Sequence, residues 1–166
     1  MSDTRDSIER HIREDPGVHF NELVRALDLA PGQVQYHVRK LRRRSAVVTD
    51  ELFGRTHYYP PEYDEWERAA LALLRRETSA EIVAALLGEG PSRPVDIAES
   101  VGIARSTLSW HTERLAEAGL IEKRHDGHQL AVVDADRTAE LLDTADPRLP
   151  ERLVDRFTRL VDALLE

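Results

Sequence analysis

The sequence contains no cysteine, only two lysines and no long hydrophobic run. Without cysteine, the chain has no disulfide framework, thiolate metal site or thiol redox switch. Its apolar runs are only a few residues long, whereas a membrane-spanning helix needs about 20, and its charged start lacks the apolar stretch of a signal peptide. We therefore expect a cytoplasmic protein that makes no membrane contact and is stabilised by its core alone.

Sequence signals of an enzyme are also missing. The chain has no glycine-rich phosphate loop, no nucleophile elbow, no metal-ligand set and no convincing acid–base pair. His125 and His128 have a spacing that suits a metal, but the tight hairpin around them supplies no third or fourth ligand. We therefore expect no enzymatic activity, no cofactor and no bound metal.

Charge is distributed unevenly along the chain, whose formal net charge is -8. Residues 1–61 contain 10 basic and 9 acidic groups, whereas residues 62–166 contain 13 basic and 22 acidic groups. Every basic residue except Lys40 and Lys123 is an arginine. An acidic total argues against nucleic-acid binding by the chain as a whole, so local patches must decide the question.

The chain contains an internal repeat with an offset of 74 positions. The octets "VQYHVRKL" (Val34 to Leu41) and "LSWHTERL" (Leu108 to Leu115) belong to a gapless match of residues 19–47 with residues 93–121. Few residues are identical, but the apolar positions coincide almost throughout. The chain is therefore interpreted as two copies of one supersecondary unit.

Each copy has the element order helix, helix, turn, helix, hairpin. In the first copy we predict helices at Asp3–Arg13, Asn21–Leu27 and Gln33–Arg43, followed by a hairpin that turns at Gly54. In the second copy, the matching helices are predicted at Ser79–Leu87, Val95–Val101 and Arg105–Ala118. The hairpin of this copy turns at Asp126-Gly127. This order is that of a winged helix-turn-helix.

The predicted fold is mainly α with small β-hairpin wings. We divide the chain into a first winged helix-turn-helix domain (1–60), a linker helix (61–78), a second winged helix-turn-helix domain (79–133) and C-terminal helices (134–166). The linker helix is expected to pack on one or both domains, because Trp66, Ala70, Leu73 and Leu74 form a helical stripe.

The stretch "STLSWHTERLAEAGLIEK" (Ser106 to Lys123) is similar to the recognition-helix region of winged helix-turn-helix repressors of the ArsR and MarR type. The whole chain resembles tandem winged-helix regulators of halophilic archaea, and its acidic, lysine-poor composition fits such a source. The resemblance implies a DNA-binding transcriptional regulator, usually a homodimer. Two features depart from the pattern: Ala30 and Ala104 stand where a Ser or Thr cap is frequent, and the metal sites of metal-sensing members have no counterpart.

Helical periodicity separates the two faces of each third helix. Val34, Val38 and Leu41 are predicted to face the core, and the residues between them face outward, where this fold enters the major groove. Glutamine pairs with adenine edges and arginine with guanine edges. The predicted contacts to double-stranded DNA, wings included, are Gln33, Gln35, Tyr36, Arg39, Lys40, Arg42, Arg43, Arg44, Arg55, Arg105, Ser106, Thr107, Ser109, Trp110, Arg114, Lys123, Arg124 and His125.

Two features on these helices allow more than one interpretation. His37 and His111 either brace the helix against its neighbour, contact a phosphate or act as a pH switch. The cluster "RKLRRR" (Arg39 to Arg44) is either a solvated helix end or a phosphate clamp, and five basic groups in six residues favour the clamp. In the first wing, Arg55 and His57 near the turn give a weaker signal.

The last helix carries an amphipathic seam. Leu153, Phe157, Leu160 and Leu164 are spaced four, three and four residues apart, which is typical of a coiled coil. The seam either packs back on its own domain or pairs with a second copy, and we favour dimerisation because two small domains leave little core for so wide a stripe.

The leading hypothesis is a sequence-specific transcriptional regulator. The alternative is a protein-interaction module of the kind found in chromosome-organising complexes, which the acidic second half motivates. A further alternative is a small-molecule sensor whose effector binds in an apolar gap between the two domains, although no dedicated sensory domain is recognisable.

Overall fold

The computed structural model describes the backbone of residues 3–165 and, in this range, the side chains of all residues except 155–157 and 160. The first copy comprises α1 (Asp3–Glu14), β1 (Val18–His19), α2 (Phe20–Leu27), α3 (Pro31–Arg43), β2 (Val48–Leu52) and β3 (Arg55–Tyr59). The remainder comprises α4 (Glu65–Leu74), α5 (Glu77–Glu89), α6 (Pro94–Val101), α7 (Arg105–Glu117), β4 (Ile121–Arg124), β5 (Gln129–Val132), α8 (Ala135–Ala145) and α9 (Leu149–Leu165). The predicted fold class, mainly helical with two hairpin wings, is confirmed.

The repeat is visible in the core and in the backbone. Leu23 and Leu41 in the first copy, and their counterparts Ile97 and Leu115 in the second, are all fully buried. The residue after each second helix also adopts the left-handed conformation that ends a helix, with φ of 51° at Asp28 and 78° at Gly102. The offset of 74 therefore holds for the fold as well as for the sequence.

The first copy folds around its own small core. Ile8 and Ile12 of α1 pack with Val34 and Val38 of α3, in a cluster that also includes Tyr58 of β3. The sheet order is β1-β3-β2, with all pairs antiparallel. The strand β1 was not predicted, because two residues are too short to show an alternating pattern. We call the β2–β3 hairpin wing 1.

The second core is larger and includes α4. Leu71, Leu73 and Leu74 of α4 are buried together with residues of α5, α6, α7 and α8. Only residues 75 and 76 separate α4 from α5. The predicted linker helix is therefore an integral part of the second core. It also contacts the first copy, since the aliphatic part of Arg75 and the side chain of Leu71 lie against Gly17.

Wing 2 is the β4–β5 hairpin. Its strands pair from Ile121–Val132 to Arg124–Gln129. The amide N–H of His128 donates to the carbonyl of His125 across Asp126 and Gly127, which both have positive φ. The chain reverses at Asp126-Gly127, as predicted, but the last paired residues are Arg124 and Gln129, so the loop has four residues, 125–128, and not two.

Candidate nucleic-acid interface

The α3 helix presents the expected outward face. Val34, Val38 and Leu41 are buried, whereas Gln33, Gln35, Tyr36 and Arg39 are exposed, as the period of 3.6 predicts. Tyr36 is 51% exposed. The ammonium group of Lys40 lies 4.5 Å from the centre of the Tyr36 ring. A hydrogen bond with this ammonium group lowers the pKa of the Tyr36 phenol.

The start of α3 is capped in an unusual way. Ala30 offers no side-chain acceptor, and the Gln33 side chain accepts the Ala30 N–H at 3.2 Å instead. Pro31 follows at the first helical position, where its missing N–H costs nothing. The acceptor oxygen of Gln33 is therefore engaged, although the residue itself is exposed.

The basic cluster at the end of α3 lies in solvent. Arg39, Arg42, Arg43 and Arg44 are exposed, and none of them forms an ion pair with an acidic residue in the described part of the chain. A helix C-terminus attracts one or two cations, not a set of four unpaired arginines. The arrangement suits binding of a polyanion such as a phosphate backbone.

The two repeated histidines differ in their partners. Nδ1 of His111 lies 2.9 Å from the hydroxyl of buried Ser79, so His111 joins α7 to α5. Nδ1 of His37 is buried and has no hydrogen-bond partner among the described residues. Desolvation lowers the pKa of both imidazoles. The geometry of His111 agrees with the bracing interpretation.

The outward face of α7 is partly occupied by the first copy. Ser106, Thr107 and Ser109 are exposed as predicted. Trp110, however, lies beside Phe53 at the tip of wing 1, with 6.4 Å between ring centres. The guanidinium of Arg114 covers the indole at 3.6 Å. Phe53 was not predicted from the sequence, because a turn residue shows no periodicity that indicates what it contacts.

A basic cleft opens beside wing 2. It has a volume of about 420 Å³, and its lining includes Arg93, Arg105, His125 and His128. The N-termini of α6 and α7 lie at this cleft, and neither has a side-chain cap. Unsatisfied N–H groups and the helix dipole favour an anion here. Arg93 is already paired with Asp96 at 2.9 and 3.0 Å.

The remaining wing residues have different environments. Lys123 and Arg124 are exposed on β4, although Arg124 is paired with Glu122 at 2.6 Å. Arg55 of wing 1 is exposed, and one of its guanidinium nitrogens lies 3.4 Å from Nε2 of His19.

The expectation for His57 was wrong. It is buried, and its Nδ1–H donates to the carbonyl of Gly17 at 2.6 Å, so it does not face outward beside the turn of wing 1. The reason is β1, which pairs with β3 on the side opposite β2 and makes β3 the central strand.

The seam of α9 is exposed where it is described. Leu153 is 37% and Leu164 is 80% exposed. The other two seam residues, Phe157 and Leu160, lie outside the residues whose side chains are described. Leu149, at the start of the helix, is buried in the second core, so α9 is anchored at one end.

Two further observations concern metals and membranes. Within residues 3–165, no group of three or more His, Asp or Glu residues is placed to hold a metal ion. No helix in this described part is long and apolar enough to cross a membrane.

Comparisons with known proteins agree with the two copies. Residues 2–71 match a family model described as an N-terminal HTH domain, and residues 75–122 match one described as winged helix-turn-helix DNA-binding. Both are families of DNA-binding domains and not of enzymes, which confirms the prediction of a chain without catalytic activity.

One similar protein is an uncharacterized HTH-type transcriptional regulator of Methanocaldococcus jannaschii. The two sequences are 25% identical over 130 residues, which cover 78% of this chain and 33% of the relative. The chain thus spans about a third of the relative's length. Together with the repeated fold, the matches establish a chain of two tandem helix-turn-helix domains of the winged type, homologous to an archaeal HTH-type regulator.

Proposed function

We propose that the chain is a sequence-specific transcriptional regulator that binds double-stranded DNA as a homodimer, with α3 in the major groove. The observation that carries the proposal is the outward face of α3. Exposed Gln35, Tyr36 and Arg39 precede a run of arginines without ion-pair partners in the described chain. In this fold, such a face meets base edges near the helix start and phosphates near its end.

The residues of this face divide between two roles. Gln35 and the amide nitrogen of Gln33 reach base edges, and Arg39 forks onto a guanine. Lys40, Arg42, Arg43 and Arg44 hold phosphates. Each phosphate neutralised adds roughly 0.9 to the log–log salt dependence of binding.

The second domain adds contacts to the phosphate backbone of the DNA. Arg105 and His125 line the basic cleft, together with the uncapped N-termini of α6 and α7. A phosphate in this cleft would receive backbone N–H donors as well as charge. Lys123, Arg124 and Arg55 extend the contact along the wings. Ser106, Thr107 and Ser109 face outward beside the cleft and are the base contacts that we propose for α7.

Dimerisation through α9 completes the proposal. The seam residues Leu153, Phe157, Leu160 and Leu164 pair with those of a second copy, so that residues 134–166 form a dimerisation region beside the domains at 1–60 and 79–133. The exposure of Leu153, Val154, Val161, Leu164 and Leu165 on this one helix supports this, because a group of exposed apolar residues marks an interaction surface. A two-fold dimer matches a palindromic site.

We also propose that the protein works at high salt. Its net charge of -8 and its two lysines support this. Since salt weakens phosphate contacts, binding under these conditions depends more on Gln33, Gln35 and Tyr36 than it would in dilute buffer.

The experiment is selection of bound duplexes from a random library with the full chain, at both low and high potassium chloride. The proposal predicts a palindromic motif, which Gln35→Ala alters at a defined position. Arg159→Ala on α9, also exposed, should leave the motif unchanged. Binding without any motif would contradict sequence specificity.

A second candidate is a protein-interaction module without sequence-specific DNA binding. The acidity of residues 62–166 favours it, as does the exposure of Glu113 and Glu117 on α7. Copurification of a stoichiometric partner, with no DNA retained at any salt concentration, would establish it in place of the regulator.

A further inference from the structure

Wing 1 is in contact with the recognition helix of the other domain. The ring of Phe53, at the wing tip, lies 6.4 Å from the ring of Trp110 on α7, with an angle of 37° between the planes. Each ring remains partly exposed, at 45% for Phe53 and 41% for Trp110. This spacing lies within the range of attractive aromatic pairs. We call it the Phe53–Trp110 contact.

Two arginines surround the contact. The guanidinium of Arg76 lies 4.8 Å from the Phe53 ring centre and 5.4 Å from that of Trp110. The guanidinium of Arg114 lies 5.5 Å from the Phe53 ring centre and 3.6 Å from that of Trp110. Each cation therefore bridges both rings, so the contact draws on residues from wing 1, α7 and the junction before α5.

The backbone at Phe53 makes this contact notable. Phe53 has φ of +50°, and Gly54, which follows it, has φ of +75°. Such two-residue turns prefer Asn, Asp or Gly at both positions. Positive φ is uncommon for a bulky residue, and residues with such strained backbones cluster at functional sites. Among the residues whose side chains are described, the aromatic ring that lies beside Phe53 is that of Trp110.

An open groove of about 640 Å³ also brings wing 1 close to the end of α7. Its lining includes Leu52 and Phe53 of wing 1 together with Arg114, Glu117 and Ala118. A helix with its side chains is about 10–12 Å across, and the major groove is about 12 Å wide. The major groove of DNA is therefore too narrow to hold both α7 and the hairpin of wing 1.

We infer that wing 1 holds α7 out of the major groove, so that the chain reads DNA with α3 alone until the Phe53–Trp110 contact opens. The inference rests on the proposed function. It gives the two domains different roles, since α3 is always available, whereas α7 becomes available only in the open form. The apparent affinity for a site that both helices recognise depends on the fraction of molecules in the open form, so anything that opens the contact raises it.

The test uses the substitution Phe53→Asn in the full chain. Asparagine tolerates the left-handed backbone, so the turn is kept while the ring is removed. The expected result is a hydroxyl-radical footprint extended by one further groove contact, and about tenfold tighter binding, the order that release of one aromatic pair permits. Phe53→Tyr keeps the ring and is the matched control, with an unchanged footprint. An unchanged footprint and affinity for Phe53→Asn would overturn the inference.

A distance measurement tests the contact without DNA. Because the chain has no cysteine, spin labels can be attached at Glu51→Cys on wing 1 and Glu113→Cys on α7, both exposed positions. We expect one narrow distance distribution in the free protein, broadened by Phe53→Asn and lengthened by a bound site.

The two measurements separate the inference from the proposed function. A distribution that Phe53→Asn leaves unchanged overturns the inference, even if DNA binding is intact. Absence of DNA binding by both wild type and Phe53→Asn overturns the proposed function and the gating with it, although the distance then still reports the contact.

Discussion

The indole Nε1–H of Trp66 donates a 3.0 Å hydrogen bond to the carbonyl of Gly119. Gly119 follows the C-cap residue of α7 and has φ of +78°, and its Cα faces the same indole, since an added Cβ would lie 3.4 Å from Nε1. The guanidinium of Arg137 lies 4.5 Å from the centre of the Trp66 ring system. One side chain of α4 therefore fixes the turn between the recognition helix and wing 2.

Trp66→Phe should destabilise the protein by about 1–2 kcal/mol, because it removes this hydrogen bond and part of a packed ring. The free energy of unfolding in urea measures the loss. Trp110→Phe, which changes the same residue type at a 41% exposed position, should cost less. Equal losses in the two variants would show that the Trp66 bond contributes nothing specific.

Stability should fall as the pH drops below about 6.5, and His57 should cause part of this. Burial lowers the pKa of His57 from its ordinary value of 6.5. The unfolded chain then binds more protons than the folded chain in the window between the folded pKa and 6.5, so acid favours unfolding there. Above 6.5 the imidazole is neutral in both states, and its contribution is fully present.

The variant His57→Asn keeps a donor for the Gly17 carbonyl and removes the titrating ring. Its free energy of unfolding should depend less on pH between 5 and 7, the range in which histidine titrates. His125→Asn, at an exposed position on wing 2, is the control. If both variants keep the wild-type pH dependence, burial of His57 is not its cause.

Leu164→Asp should convert a dimer into a monomer in sedimentation equilibrium. Leu164, the last residue of the seam, is 80% exposed, and a carboxylate enclosed in the proposed apolar dimer seam has no partner to offset its desolvation. Ala163→Asp places the same side chain on the neighbouring exposed position outside the seam and should leave the mass unchanged. A wild-type protein that is monomeric at all concentrations would disprove the dimer.

Arg105→Ala should weaken DNA binding uniformly across sequences and reduce the salt slope by roughly one. Arg105 lines the cleft between wing 2 and the uncapped helix starts, where a phosphate has backbone donors as well as charge. Isothermal titration at several salt concentrations measures the slope. An unchanged slope would place the cleft away from the DNA.

The periodic parts of the fold were predictable from the sequence. Leu23, Val34 and Leu41 recur as Ile97, Leu108 and Leu115 because one buried face of each helix needs apolar residues at fixed spacing. The apolar stripe on α4 was also recognised, but the complete burial of successive residues on this helix was not predicted. Residues Ala70–Leu74 are all buried, because contacts from both copies and from α8 surround the helix, and a pattern in one element does not reveal how many neighbours cover it.

Other features escaped prediction for reasons that are specific to them. His57 follows no alternating pattern, because β1 and β2 flank β3 and residues 57–59 are buried in succession. Phe53 is a turn residue, and its contact with Trp110 depends on how the two domains pack. Helical periodicity and charge were enough to predict the candidate interface on α3. The contact that occupies part of the outward face of α7 could be recognised only from the tertiary structure.

The proposed function depends most on a phosphate clamp at the end of α3. The direct measurement is the salt dependence of DNA affinity for the full chain and for a variant in which Arg39, Arg42 and Arg43 are all alanine. These three side chains are exposed, and none is paired with a described acidic residue.

A control removes the same charge elsewhere, with Arg10, Arg148 and Arg159 replaced by alanine at exposed positions outside α3. Weaker binding and a log–log slope shallower by about 2 are expected for the α3 variant, because loss of Arg42 and Arg43 leaves two phosphates without a cation, at roughly 0.9 each, and loss of Arg39 removes a guanine contact. A much smaller change is expected for the control. Equal effects in the two variants, or an unchanged slope in the first, would contradict the clamp.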